Sequence, residues 1–340
     1  MVNDLYRLLQ ITDTWSVHHD RGFTWWGHHL AQHVSVGEPQ SSGGLEYCTV
    51  RVWTDVVADV DPATNPARAV GMANLNQTMN ALVWDRPTAT ITEFCTMVVT
   101  RGNVGSAARL IGMPAILQNT NAHGLVDELA QHCGGTPAVS AHPVNGLRDD
   151  WDSVLAIPGS SIIPAGREPS EFARREPEKS WRRGAGASMM SGLGDFARQN
   201  RWVGSGDDTS FTCEVPFTGD GPGHTALVEI FTDQPHPTFG NGALAVMRLP
   251  VTPGSGYAFT LANALNAQEF DAGPPGLDSL GAWCPDFMSD DNNGLAFCTF
   301  VPNQLAAPSL LENLIIHSAL RARFAADVLS TLNRPRVSGG

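Results

Sequence analysis

Lysine is almost missing from this chain of 340 residues: Lys179 is the only one, so nearly all basic charge is arginine. We read that as a codon bias of a GC-rich genome and attach no mechanism to it. Basic charge as a whole is scarce, with 21 Lys+Arg against 34 Asp+Glu and a formal net charge of -13. An acidic surface repels nucleic acid and anionic membranes, so neither is expected as a main partner. There is no Cys-x-x-Cys pair. The cysteines at 48, 95, 133, 213, 284 and 298 are scattered, several inside apparent strands, as buried free thiols would be. That spacing predicts a reducing compartment and no disulfide framework. The start, Met1 to Tyr6, lacks the basic residues and apolar core of a signal peptide. No apolar run approaches the ~20 residues needed to span a bilayer. The expected location is cytoplasmic. Catalytic signatures are missing as well. There is no Gly-x-Ser-x-Gly elbow and no His-Glu-x-x-His helix, and Gly184-Ala185-Gly186 follows no strand as a dinucleotide loop must. No catalytic residue and no cofactor is expected.

What is present is core. Hydrophobic content of 42% is ample for a globular protein, and the length suggests about two domains of ~150 residues. We expect an N-terminal α+β domain over 1–135, an irregular linker with short helices over 136–206, a C-terminal α+β domain over 207–334 and a tail over 335–340. The C-terminal block carries the clearest local signals. Tyr257 to Asn266 has helical periodicity. Leu280–Cys284 and Leu295–Val301 read as strands around the turn-forming tract Ser289 to Gly294. Ser309 with Glu312 three residues on reads as a capping box before a long helix, whose ridge Ile316, Leu320, Phe324 and Val328 is expected to face the core. Pro335 ends it. Ahead of that block, three strand candidates (210–216, 225–232, 243–249) are separated by turns such as Gly219 to Gly223. Strands gathered before helices indicate an antiparallel sheet and an α+β class.

A fainter copy of the C-terminal block runs from Pro66 to Cys133. Met72–Asn76 echoes Leu261–Asn266, Trp84 stands where Trp283 stands, and Phe94–Val98 matches Phe297–Val301 in four of five places. Leu125–Leu129 then closes with a helix that Gly134 terminates. Collinearity, more than any single match, argues for two copies of one unit.

Strands, a helix ending in Leu265-Asn266, a Trp-containing strand, a hairpin and a long amphipathic closing helix: this order resembles the bacterial YbjN-type proteins, which look like the class I type III secretion chaperone fold. The resemblance covers about 208–332 best and 22–133 less well. It implies helix–sheet–helix units that bind polypeptide, pair with a second copy and carry no chemistry of their own. The two copies would then pair within one chain as a pseudo-dimer.

Two clusters remain. His18, His19, His28, His29 and His33 lie near Asp20. On a single strand 22–36, His29 and His33 share a face with Trp25, and His28 shares the other with Trp26. Zinc needs three or four ligands converging at ~2 Å; His29 and His33 are too far apart alone, and Asp20 or His18 would have to complete a site. A metal-dependent hydrolase is the rival reading on that basis. The aromatic group Trp15, Phe23, Trp25 and Trp26 is the stronger interaction signal, because aromatics dominate interface energetics. If one of the adjacent tryptophans faces the core, the other faces outward and needs cover from the linker, the other half or a partner. The residues expected to bind a partner are therefore Trp15, Phe23, Trp25, Trp26, His29 and His33, and the partner is another protein or a second copy of the chain. Paired arginines at 174–175 and 182–183 sit in the linker and read as a solvated run.

Overall fold

The computed structural model describes residues 2–152, 155, 190–218, 224–234, 236, 242–253, 256–271, 277–286, 294–302, 305 and 308–332. The expected turns 219–223 and 289–293, the linker features over 171–188 and Pro335 with the tail lie outside these. The first half runs α1 (Val2–Leu8), β1 (Ser16–His19), β2 (Gly22–Trp26), β3 (Ala31–Val36), β4 (Gln40–Ser42), β5 (Leu45–Ala58), α2 (Pro66–Asn74), β6 (Ala81–Asp85), β7 (Thr90–Thr100), α3 (Val104–Cys133) and β8 (Thr136–Pro137). The second runs α4 (Leu193–Gln199), β9 (Val203–Gly206), β10 (Ser210–Pro216), β11 (Thr225–Phe231), β12 (Gly242–Arg248), α5 (Tyr257–Asp271), β13 (Ala282–Asp286), β14 (Gly294–Pro302) and α6 (Leu310–Leu332). The fold is α+β, with two antiparallel sheets. Among the described residues no helix is long and apolar enough to cross a membrane.

Both sheets follow one path. The first is ordered β1-β2-β3-β5-β7-β6 and the second β9-β10-β11-β12-β14-β13. Each has a helix before its first strand, a helix before its last hairpin and a long helix after it. Pairing fixes the correspondence residue by residue. One row of the first sheet is Gly22, Ser35, Arg51 and Thr96, and the matching row of the second is Ser210, Phe231, Leu244 and Phe300.

An asparagine staple sets that register. Asn74 at the end of α2 donates from Nδ2 to the Leu82 carbonyl (2.9 Å) and accepts the Leu82 N–H (2.7 Å). Asn266 of α5 does the same to Trp283, at 3.0 and 2.9 Å. Leu82 faces Glu93 across the first hairpin, and Trp283 faces Phe297 across the second. The similarity between Phe94–Val98 and Phe297–Val301 is therefore one residue out of register, and Trp84 corresponds to Pro285. Matching strings by residue type ignores that a one-residue slip turns every side chain to the other face.

The halves also complete each other. β6 and β13 are short, so β7 and β14 outrun them and leave bare backbone. Thr96 of β7 exchanges two backbone bonds with Ser279, at 3.1 and 3.0 Å, and Phe300 of β14 donates to the Thr78 carbonyl at 3.1 Å. Thr78 and Ser279 each stand four residues before the stapled strand residue of their own half. A third staple crosses the seam: Asn263 of α5 accepts the Trp84 N–H at 2.8 Å and donates to the Trp84 carbonyl at 2.9 Å. The position three residues before Asn74 is Gly71, where a Cβ would lie 2.7 Å from the Phe259 ring. Helices α2 and α5 pass that closely only because the residue is glycine.

Four expectations are revised. The single strand 22–36 is a hairpin, because Gly27–Leu30 turns the chain and β2 pairs with β3. The stretch 136–206 is only partly a connection: β8 joins the first sheet and β9 the second. On α6 the inward row is Leu311, Ile315, Ala319, Ala322, Ala325 and Leu329. Ile316 and Leu320 are 36% and 44% exposed. This helix is apolar on more than one face, and the small alanines let it approach the sheet closely. Ser309 is left-handed (φ 63°), and its carbonyl takes the Asn313 N–H, a geometry unlike the extended N-cap of a capping box. Gly134 does end α3, at φ 62°.

Candidate binding site

The aromatic residues singled out in the sequence are mostly interior. Phe23 and Trp25 are fully buried and Trp26 is 5% exposed, so they do not form a free interaction surface. Trp25 packs with Leu5, Leu9 and Ile111 under α1 and α3, and its indole N–H donates to Gln32 Oε1 at 2.7 Å. Trp26 points to the other face and is covered by the chain that follows β8. Its N–H donates to Ser140 Oγ (3.3 Å), the His142 ring meets it edge-on at 4.9 Å, and Arg148 donates to its carbonyl (2.6 Å) while pairing with Asp152 (2.8 Å). Of the three covers the alternation argument allowed, the segment after β8 is the one found. Trp15 is half-buried beneath Arg148.

The histidines divide into three groups. His18 lies beside Tyr6 and Asp13. His19 Nε2 and His33 Nδ1 share the Thr24 hydroxyl at 3.0 and 2.9 Å, and His33 stacks on Trp53. His28 stacks between His29 and Trp151 near His123. His29, in the β2–β3 turn, is thus separated from His33, on β3. Among the described residues no three His, Cys, Asp or Glu side chains are placed to hold a metal ion.

In the third group both nitrogens of His123 are committed. Nδ1 donates to the Asn119 carbonyl at 2.8 Å and Nε2 accepts the Leu30 N–H at 3.3 Å, a pattern only the neutral ring can make. Burial, chiefly, pushes its pKa down from 6.5 to about 4. The unfolded chain takes this proton near pH 6.5 and the folded one only near about 4. The stabilisation is therefore whole above pH 6.5 and is lost as pH falls through that window. We expect His123→Gln to flatten the decline of the urea midpoint between pH 7 and 4.5, removing on the order of 2–3 kcal/mol of pH-dependent stability.

A groove of about 470 Å³ lies between α2 and α3. Its origin is local. Asn65 is left-handed (φ 59°) and Pro66 starts α2, as a fixed φ and an expendable N–H favour. Helix α2 then stops at Asn74, where the staple holds it, and i→i+3 bonds at Leu75, Asn76 and Gln77 turn the chain away. Against it α3 runs past Pro114, and the Asn80 amide, oriented to satisfy both its atoms, donates to the Pro114 carbonyl and accepts the Gln118 N–H at 3.2 Å each. Ala69, Met72, Leu125 and Leu129 form an apolar floor, Asn76, Gln77 and Asn121 supply amides, and Arg68, Glu128 and His132 stand at the rim. The sequence placed Met72–Asn76 and Leu125–Leu129 in the repeated unit but marked neither as a site, since the groove joins two helices whose facing side chains are about fifty positions apart.

Behind the amide end lies a buried acid. Glu93 of β7 is fully enclosed. Asn121 Nδ2 donates both to Gln77 Oε1 (2.6 Å) and to Glu93 Oε1 (3.4 Å), while Glu93 Oε2 is buried without a partner. Burial pushes the Glu93 pKa well above the usual carboxylate range, opposed by the Asn121 bond. Further inward, Gln118 donates to the Glu93 and Val52 carbonyls (2.7 and 3.1 Å) and accepts from Thr54 and Gln32. A polar row thus runs from Trp25 to the groove. Another buried acid, Glu269 in the other half, is differently provided: it accepts from Arg321 Nε (2.9 Å) and from the Trp283 indole N–H (2.7 Å). No protein-family model matches this chain, and no curated protein or solved structure is found to be similar to it.

Proposed function

We propose that the chain binds a segment of another polypeptide in the α2–α3 groove, as a chaperone-like or assembly protein built from two related units. The observation that carries this reading is the make-up of the groove. Its volume falls in the ~300–1,000 Å³ range of ligand sites. A peptide offers apolar side chains at intervals along a main chain of amides; the floor of Met72, Leu125 and Leu129 suits the first, and Asn76, Gln77 and Asn121 suit the second. The repeated order of helix, strands, helix, hairpin and closing helix supports it, since that order is what the resemblance to YbjN-type proteins led us to expect. So does the seam, in which the two halves contact each other as paired copies would.

The test is fluorescence anisotropy of the full chain with a set of labelled apolar-rich peptides. Met72 is 43% exposed, so Met72→Arg is expected to leave the fold unchanged and to weaken peptide binding at least ten-fold. Binding that ignores this change, or no binding by any peptide in the set, would sink the reading.

A further inference from the structure

We infer that the inner end of the groove recognises a primary ammonium group on the bound polypeptide, with the Glu93 carboxyl as its acceptor. This rests on the groove reading above and adds a chemical specificity to it.

The argument begins with an acceptor that the fold leaves unused. Glu93 Oε2 is buried and has no partner among the described residues, although most buried polar atoms in proteins do have one. Leaving such an atom unpaired is costly, so a group supplying the missing donor gains what the fold forgoes. The register that matches Leu82 with Trp283 places Phe297 where Glu93 stands. An acid at this position is thus not something this architecture imposes.

Access comes next. Gln77 and Asn121 line the groove, and the Asn121 amide bridges Gln77 Oε1 and Glu93 Oε1. The carboxyl therefore lies one side chain behind the wall, and the inferred site forms when the Asn121 amide swings aside. An entering donor then takes the place of Asn121 Nδ2 between Gln77 Oε1 and the Glu93 carboxyl.

The geometry also selects the cation. The acceptors are those that one Asn121 nitrogen now serves, a space smaller than a planar guanidinium. A compact ammonium with three rotatable donors fits it. The excess of acidic residues over the whole chain favours approach of a cation. A lysine side chain and a free peptide N-terminus both carry this group.

The experiment uses the full chain and labelled peptides of one apolar sequence. The first has a central lysine and an acetylated N-terminus, the second has norleucine in place of the lysine, and the third has norleucine and a free N-terminus. The lysine or the free-terminus peptide is expected to bind at least ten-fold tighter than the acetylated norleucine peptide, and whichever does so identifies the source. That advantage should disappear in Glu93→Gln, which keeps the shape but replaces one acceptor oxygen with an NH2 donor and removes the acid. The wild-type comparison needs no variant, so a misfolded Glu93→Gln would not blunt the test. Equal binding of all three peptides overturns the ammonium inference and leaves the groove standing. No binding by any of them overturns both.

Discussion

Arg321→Met is expected to destabilise the protein by about 3–5 kcal/mol, the usual result of removing one partner from a buried ion pair. Arg321 and Glu269 are 3% and 1% exposed. The guanidinium meets the Glu269 carboxylate through Nε (2.9 Å), donates to the Asp278 carbonyl and lies over the Phe297 ring at 3.8 Å. Methionine fills part of that space but leaves a carboxylate buried with only the Trp283 indole N–H to answer it. Adding Glu269→Gln should recover most of the loss, because the amide carbonyl still accepts from Trp283 and carries no charge. Urea unfolding of the single and double variants measures this. A loss below about 1 kcal/mol in the single variant would mean that the pair is wetter than its burial indicates.

The second large effect is expected at the asparagine staples. Asn266→Ala strips Trp283 of its partners at both N–H and C=O, and Asn74→Ala does the same to Leu82. Both strand residues are fully buried. Each unsatisfied group costs about 1–3 kcal/mol, so each variant should lose about 2–6 kcal/mol. Asn263→Ala differs in kind. Its partner Trp84 is only half-buried, so the loss should be smaller, but the bond it removes joins the halves. We expect thermal unfolding of Asn263→Ala, followed by far-ultraviolet circular dichroism, to become less cooperative while the in-half staples mainly lower the midpoint. Identical broadening in all three variants would contradict this division.

Much of the fold follows from local pattern. The alternation of β-branched and aromatic residues over 45–58 makes β5, and Gly134 ends α3, because those preferences belong to a residue and its near neighbours. The copy of one half in the other was also legible, as an order of elements. Its register was not, since a ladder is set by hydrogen bonds such as those of Asn74 and Asn266, and residue similarity points one position away. The strand assumed over 22–36 failed for a related reason: Gly27-His28-His29-Leu30 carries a single turn-forming residue, and only pairing of Trp25 with Gln32 and Phe23 with Val34 reveals the bend.

The candidate site was still less visible. The sequence drew attention to Trp25 and Trp26, which prove to be core and covered core, while Met72, Gln77, Glu93, Asn121 and Leu125 carry no motif. Composition and periodicity by themselves determined the α+β class, the two-part organisation and the ends of several elements, because these depend on residues close along the chain. Which face of α6 is buried, how β7 and β14 find backbone partners across the seam, and the acid left unpaired behind the α2–α3 groove were decided by tertiary structure alone. Those outcomes depend on groups tens to hundreds of positions apart coming within 3 Å of each other, and no local preference encodes such a distance.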